Sequence, residues 1–398
     1  MRMIALGLSP ATAAASPANA VERLLAIQGQ QVSSISPAIA VRCPGASRDD
    51  IAAAFDQGLL VRSWPMRGTV HITTAADHHW LRAALAHRYE AWLRSSEQTT
   101  PLLGSGTVAR AAELLWERMA DQGALTRAQA VALFEEHNLI PRGVKTPKGA
   151  DMTQSFEVSW SRRHLIFLLH LKGLVVQGPT GSNEHLLIDA RPLPDETSGP
   201  GGGQGVRHGQ AGHQAALVEI AYRYAAGHGP ISADDLARWS GLPVGVCVTA
   251  LEAALTRSDG EGLVRMRMNE EGSALVADSH PPSARHVREH GLYLRADLPD
   301  LLSEQRKAVE TTIALPSFDE LHVGYKDRTC LTDEAGERLI CPSKNGMFRP
   351  IIVDRGRVVA VNPPSAGVLW AQGQPASARL ENAVARVIAS ENTQKGAQ

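Results

Sequence analysis

Apolar residues recur at helical spacing in "NAVERLLAI" and "RDDIAAAFDQG", then alternate in "LLVRSWPM" and "GTVHITT" before a further helical run, "AADHHWLRAALAHRYEAWLRS". A period near 3.6 predicts helix and a period near 2 predicts strand. Ser47, with Asp50 three positions on, has the form of a capping box for the second helix, and Arg67-Gly68 is the joint between the two strands. The same outline returns in "GALTRAQAVALFEEHNL", capped by Thr126 and ended by Asn138 and Pro141. It continues through the polar loop "PRGVKTPKGAD" to "SFEVSWSRRHLIFLLHLKG", "LVVQG" and "EHLLIDA". It returns once more in "PISADDLARWSGLPVGVCVTALEAALTR", with Ser232 as cap and Gly241 and Pro243 in the turn, followed by "GLVRMRM" and "SALVAD". Helix, turn, helix and a strand pair is the outline of a winged helix, and three copies imply tandem repetition.

Between the second and third copies, "PDETSGPGGGQGVRHG" has the Gly/Pro/Ser content of a linker. After residue 290 short β-prone runs such as "TIALPSFDELHVGY" and "MFRPIIVDRGRVVAV" predict a small β-rich domain, closed by the helix "ASARLENAVARVIAS". The predicted organisation is α+β: a winged helix over 1–100, a second over 101–192, a linker over 193–210, a third over 211–290 and a β-rich domain over 291–398. Winged helices insert a helix into DNA or serve as protein-interaction modules, and the pattern alone leaves both open.

Composition narrows this little. The chain has 398 residues, 43% of them hydrophobic, enough for several ordinary cores. Forty basic and 41 acidic side chains nearly cancel, and a nucleic-acid footprint needs only a local basic surface. The four cysteines have no metal or disulfide spacing and fit reduced thiols of the cytoplasm. The start, "MRMIALGLSPATAAASPANA", imitates a signal peptide, but Ser9 and Pro10 break its apolar core, and it leads into the first helix instead. No run approaches the roughly 18 apolar residues of a membrane span, so a soluble protein is expected.

Among candidate sites, His78-His79 and His208 with His213 bring no companion ligand at metal spacing, so neither a metal nor a cofactor is expected. "PGGGQG" lacks the strand, Lys-Ser/Thr and helix of a phosphate loop. Asp319-Glu320 resembles a carboxylate pair but follows a β-like run, where neighbouring side chains face opposite ways, so one of the two is expected to be structural. "WPMRGTVH" is denser: Arg62, Trp64 and Met66 share a strand face, and Arg67 and His71 follow. In "AIQGQQ" Gln28 and Gln30 stand two apart, about 200° on a helix, so they converge only where the backbone leaves the helix, which Gly29 permits. The same pair can equally solvate a helix end.

Taken in order, "RLLAIQGQQ", "LVRSWPMRGTVHITTAADHHWL", "LPSFDELHVGYKDR" and "GMFRPIIVDRGRVVAV" resemble the AlkZ/YcaQ family of winged-helix DNA glycosylases over nearly the whole chain. The resemblance implies three tandem winged helices in a C-shaped array with a small C-terminal β-barrel-like domain. It implies a monomer that cradles duplex DNA and excises N7- or N3-alkylated purines, in some members unhooking crosslinks or protecting an antibiotic producer. The family's catalytic signature maps onto Gln28 and Gln30, and Arg62, Arg67, His71, Lys326 and Arg328 become candidate DNA contacts. The chain departs from the family in having Gly29 where a larger apolar residue is common, Gln31 where Asp is common, and Asn362 where Trp is expected. The readings from other classes are a winged-helix transcriptional regulator that binds DNA without chemistry and, second, a protein-interaction module or binder of a small genotoxin.

Overall fold

The computed structural model describes residues 1–86, 104–142, 152–182, 184–195, 210–257, 262–278 and 283–396. The polar loop over 143–151, His208 and most of the predicted linker lie outside the described residues. The chain is built from helices and antiparallel sheets and divides into two compact units, 52–216 and 1–51 with 217–398.

In the unit 52–216 four strands lie in the order Thr69–Thr74, Leu60–Met66, Val175–Thr180, His185–Asp189. Two hairpins meet where Arg62 faces Gln177. The first turns through Arg67 at φ 54° and Gly68 at φ 70°, the two left-handed positions of the tight turn that suits the twist of paired strands. The helices Ser105–Gln122, Arg127–Glu136 and Met152–Leu171 bury Leu115, Phe134, Leu165 and Leu169 with Val175 and Leu187. Thr126 forms the full capping box with Gln129.

In the other unit the helix Gln210–His228 is followed by Ala233–Ser240, Val244–Ala254 and the paired strands Leu263–Met268 and Leu275–Ala277. Ser232 and Asp235 close the capping box, and Gly241 ends the helix in the left-handed conformation at φ 79°. Near the end of Gln210–His228 the main chain of the first residues approaches closely: a Cβ on Gly227 would stand 2.2 Å from the Arg23 carbonyl oxygen. Met3, Ile4, Ala5 and Leu6 are buried.

Two expectations are corrected here. The helix of "NAVERLLAI" spans Pro17–Leu24 and stops before Ile27, and a helix over Val32–Ala40 follows it that the serine- and proline-broken run "VSSISPAIA" did not suggest. The C-terminal sheet is not a closed barrel among the described residues. Its strands Leu369–Trp370, Arg357–Val361, Ile351–Asp354 and Thr312–Leu315 form an open sheet whose outer members do not pair. Four short strands are too few to close around packed side chains, and Leu380 and Val384 of the helix Ala378–Gly396 cover Ile352 and Ala360 instead. Helices Leu298–Val309 and Glu334–Ile340 also occupy this predicted β-rich region.

Candidate active site

The two glutamines lie outside regular helix. After Leu24 the chain turns through Leu25 at φ 63° and ψ −42°, with the Ala26 N–H on the Leu24 carbonyl at 2.7 Å. This is the rare γ-turn, strained for any L-residue and more so for a fully buried leucine. Ile27–Gln28 is then extended, and the chain re-enters helix at Val32 with Gln31 in the N-cap position. The left-handed kink therefore falls on Leu25, while Gly29 is absent from the positive-φ positions. Gln28 is half-buried, Gln30 is exposed, and Gln31 donates through Nε2 to Ser33 Oγ at 3.0 Å.

The backbone N–H of Gln28 donates to Glu320 Oε1 at 3.1 Å. The other carboxylate oxygen accepts from Trp239 Nε1 at 3.3 Å and stands 3.4 Å from His228 Nε2. Glu320, His228 and Trp239 are all buried. The His228 ring stacks on Tyr224 at 4.4 Å, and the Tyr325 hydroxyl donates to the His228 carbonyl at 2.7 Å. Burial pushes both tyrosine hydroxyls well above their usual range, which keeps them as neutral donors.

Asp319, one residue before, is held separately. Arg42 grips it with both terminal nitrogens at 2.8 and 2.9 Å while donating to the carbonyls of Leu6 and Ala38. Burial opposes the charge on Arg42, and Asp319 more than offsets it, leaving the guanidinium more firmly protonated than usual. Asp319 also caps the short helix Glu320–Val323 through the Leu321 N–H at 2.9 Å. Phe318, buried just before the pair, sits at φ 65°, so a second strained bulky residue lies where this carboxylate pair begins. Both members of the Asp319-Glu320 pair are thus engaged within the protein. "FDEL" was the signal for Asp319 and Glu320; Arg42, His228 and Trp239 carried none.

The remaining candidates occupy different settings. Arg62 is buried in its strand with its guanidinium on the Gln177 carboxamide, and burial lowers its pKa to about 10. His71 is also buried; its Nδ1 meets the Thr69 carbonyl at 2.9 Å and its Nε2 meets Arg67 Nη2 at 3.1 Å. The arginine can only donate, so Nε2 accepts and the proton sits on Nδ1. Lys326 is exposed and bonds Asp234 at 2.6 Å, whereas Arg328 is largely covered and bonds Glu337 at 3.0 Å. Burial is the main cause that lowers the Arg328 pKa. His78 and His79 face each other at 3.3 Å between Nδ1 atoms, and burial holds His78 far below its usual pKa. Among the described residues no group of three or more His, Cys, Asp or Glu is placed to hold a metal ion. An open cavity of about 300 Å³ begins at Gln31 and is walled by Ser317, Asn345, Met347 and Phe348.

What this arrangement supplies is a pair of neutral amides on a fixed, non-helical backbone: groups that can orient a water and turn a dipole, without a strong base. The model of the DNA glycosylase AlkZ-like family matches residues 21–390. Among solved structures, the DNA glycosylase AlkZ of Streptomyces sahachiroi is similar in fold, with a TM-score of 0.62 at 20% identity over 97% of this chain and 92% of that one. No curated protein matches the chain. No helix among the described residues is long and apolar enough to cross a membrane. A family match over nearly the entire length, on a chain of the same fold, makes this protein a member of the AlkZ-like DNA glycosylase family.

Proposed function

We propose that the chain is a monofunctional glycosylase that hydrolyses the N-glycosidic bond of N7- or N3-alkylated purines in duplex DNA, with Gln28 and Gln30 positioning the water. An alkylated purine is cationic, so it leaves with the bonding electron pair as a neutral base and needs no acid. Water adds to the oxocarbenium-like sugar and its surplus proton passes to solvent. An amide oxygen that accepts from this water places it and offers partial negative charge to the sugar, which are contributions of positioning and electrostatics. Most support comes from the motif's conformation: the backbone carries both glutamines out of the helix, and Glu320 holds the main-chain N–H of Gln28. The proposed substrates include bulky or crosslinking adducts.

We further propose that the three segments of helices followed by a strand pair are winged helices, with the boundaries given by their patterns, and that the protein acts as a monomer. Arg67, Lys326 and Arg328 are the proposed phosphate contacts. Arg62 and His71, buried on protein partners, would hold the hairpin that presents Arg67. Replacing any of the three contact residues by Ala should weaken binding and lower the slope of log affinity against log salt by about one; unchanged slopes would remove them from the interface.

The decisive assay uses duplexes carrying N7-methylguanine, followed by heat or alkali to reveal abasic sites. Gln28→Ala and Gln30→Ala should each lower the single-turnover rate on the order of 10–1,000-fold. Full activity in both variants would sink the mechanism. Sequence-selective binding without base release from any alkylated duplex would instead indicate a regulator.

A further inference from the structure

We infer that Glu320 is the positioning residue of the amide pair, fixing Gln28 through its main chain while Trp239 and His228 fix the carboxylate. The inference rests on the reading of Gln28 as a water-positioning amide. The γ-turn at Leu25 ends the helix and leaves the Gln28 N–H without a helical acceptor, and the acceptor it meets at 3.1 Å is a buried carboxylate. A hydrogen bond is electrostatically stronger where water is excluded than it is in water.

A free glutamate side chain would be a poor clamp because it rotates. This one cannot. Its second oxygen is taken by the Trp239 indole and faces His228, and the helix that bears it is pinned one residue earlier by the Arg42–Asp319 pair. Gly324 completes the enclosure, since a Cβ there would come within 3.1 Å of the His228 ring and 3.2 Å of Glu320 Oε2. Strained backbone at Leu25 and at Phe318 lies on both sides of the bond, and such strain persists only where the surroundings over-determine it.

Glu320→Gln isolates the clamp. The variant keeps an acceptor for the Gln28 N–H, but its amide nitrogen then points at the Trp239 N–H, donor against donor. Trp239→Phe in the same chain removes that conflict. On an N7-methylguanine duplex, E320Q should lower the single-turnover rate about 10–100-fold with the Kd for that duplex within about twofold of wild type, and E320Q/W239F should recover about tenfold of the loss. Amide hydrogen exchange at Gln28 should be slow in wild type, fast in E320Q and slowed again in the double variant.

The inference is overturned if E320Q excises at the wild-type rate, if its rate and its DNA affinity fall together, or if the Gln28 amide stays equally protected. A double variant no faster than E320Q would also overturn it. If thermal melting shows that E320Q alone does not fold, the double variant carries the test, and fast exchange at its Gln28 amide counts against the clamp. Failure of wild type to release any base would defeat the functional reading instead, while the exchange measurement, which needs no substrate, still decides the role of Glu320.

Discussion

The Gln28 N–H meets a carboxylate 292 positions away, whereas Arg67 meets His71 only four positions on, inside one hairpin. Both stretches carry candidate chemistry, and they are held by opposite means. In the hairpin a two-residue turn with both φ angles positive sets the register, and the side chains that matter follow within a few residues. Around Gln28 the local backbone is strained at Leu25, and the buried groups that hold it include Glu320, Trp239 and His228, all remote in sequence, with Arg42 anchoring the neighbouring Asp319. The contrast teaches that a recognisable motif can be a local object or only the visible end of a distant scaffold. The two kinds should fail differently.

The largest effect is expected where the scaffold is most remote. Arg42→Ala leaves Asp319 buried without its partner, and breaking a buried pair in this way costs about 3–5 kcal/mol. Urea unfolding should show this loss, and a value under about 1 kcal/mol would mean that the pair is not the anchor of the carboxylate helix.

Acid should act next, on the unit that contains the hairpin. Burial pushes the His170 pKa down to about 3, from about 6.5 unfolded, so the unfolded chain binds more protons between those values. This contribution is complete above about pH 6.5 and is lost as pH falls toward 3, at about 1.4 kcal/mol per pH unit. His170 packs against Trp64 at 4.6 Å, so His170→Leu should flatten the stability profile between pH 6.5 and 5. An unchanged slope would place the sensitivity elsewhere.

A smaller loss, of about 1 kcal/mol, should follow Gly68→Ala, because an L-side chain resists φ 70°. The effect should appear as a lower melting temperature, and no change would show that the turn does not limit the hairpin. Least affected should be Lys326→Ala, which removes an exposed pair with Asp234 and should alter stability by less than about 1 kcal/mol in urea titration. A larger change would promote this surface pair to part of the scaffold.

The caps at Thr126 and Ser232, the turn at Gly241 and the Arg67-Gly68 joint were legible, because each depends on residues within a few positions of one another. So was the amide pair as an unusual feature. Helix Val32–Ala40 was not, since Pro37 and three serines mask its apolar face. The barrel implied by resemblance gave way to an open sheet because the covering helix Ala378–Gly396, not a further strand, completes its core.

By itself the sequence determined the mixed helix and sheet class and most element positions, and it singled out Gln28 and Gln30 as an unusual pair. Only the tertiary structure decided that Glu320 receives the Gln28 N–H, that Arg62 turns inward to Gln177 and that the kink falls on Leu25 rather than Gly29. The physical reason is one of range. Caps and turns are settled by steric and hydrogen-bonding choices within a few residues, whereas a buried donor takes whatever acceptor the packed core brings to it.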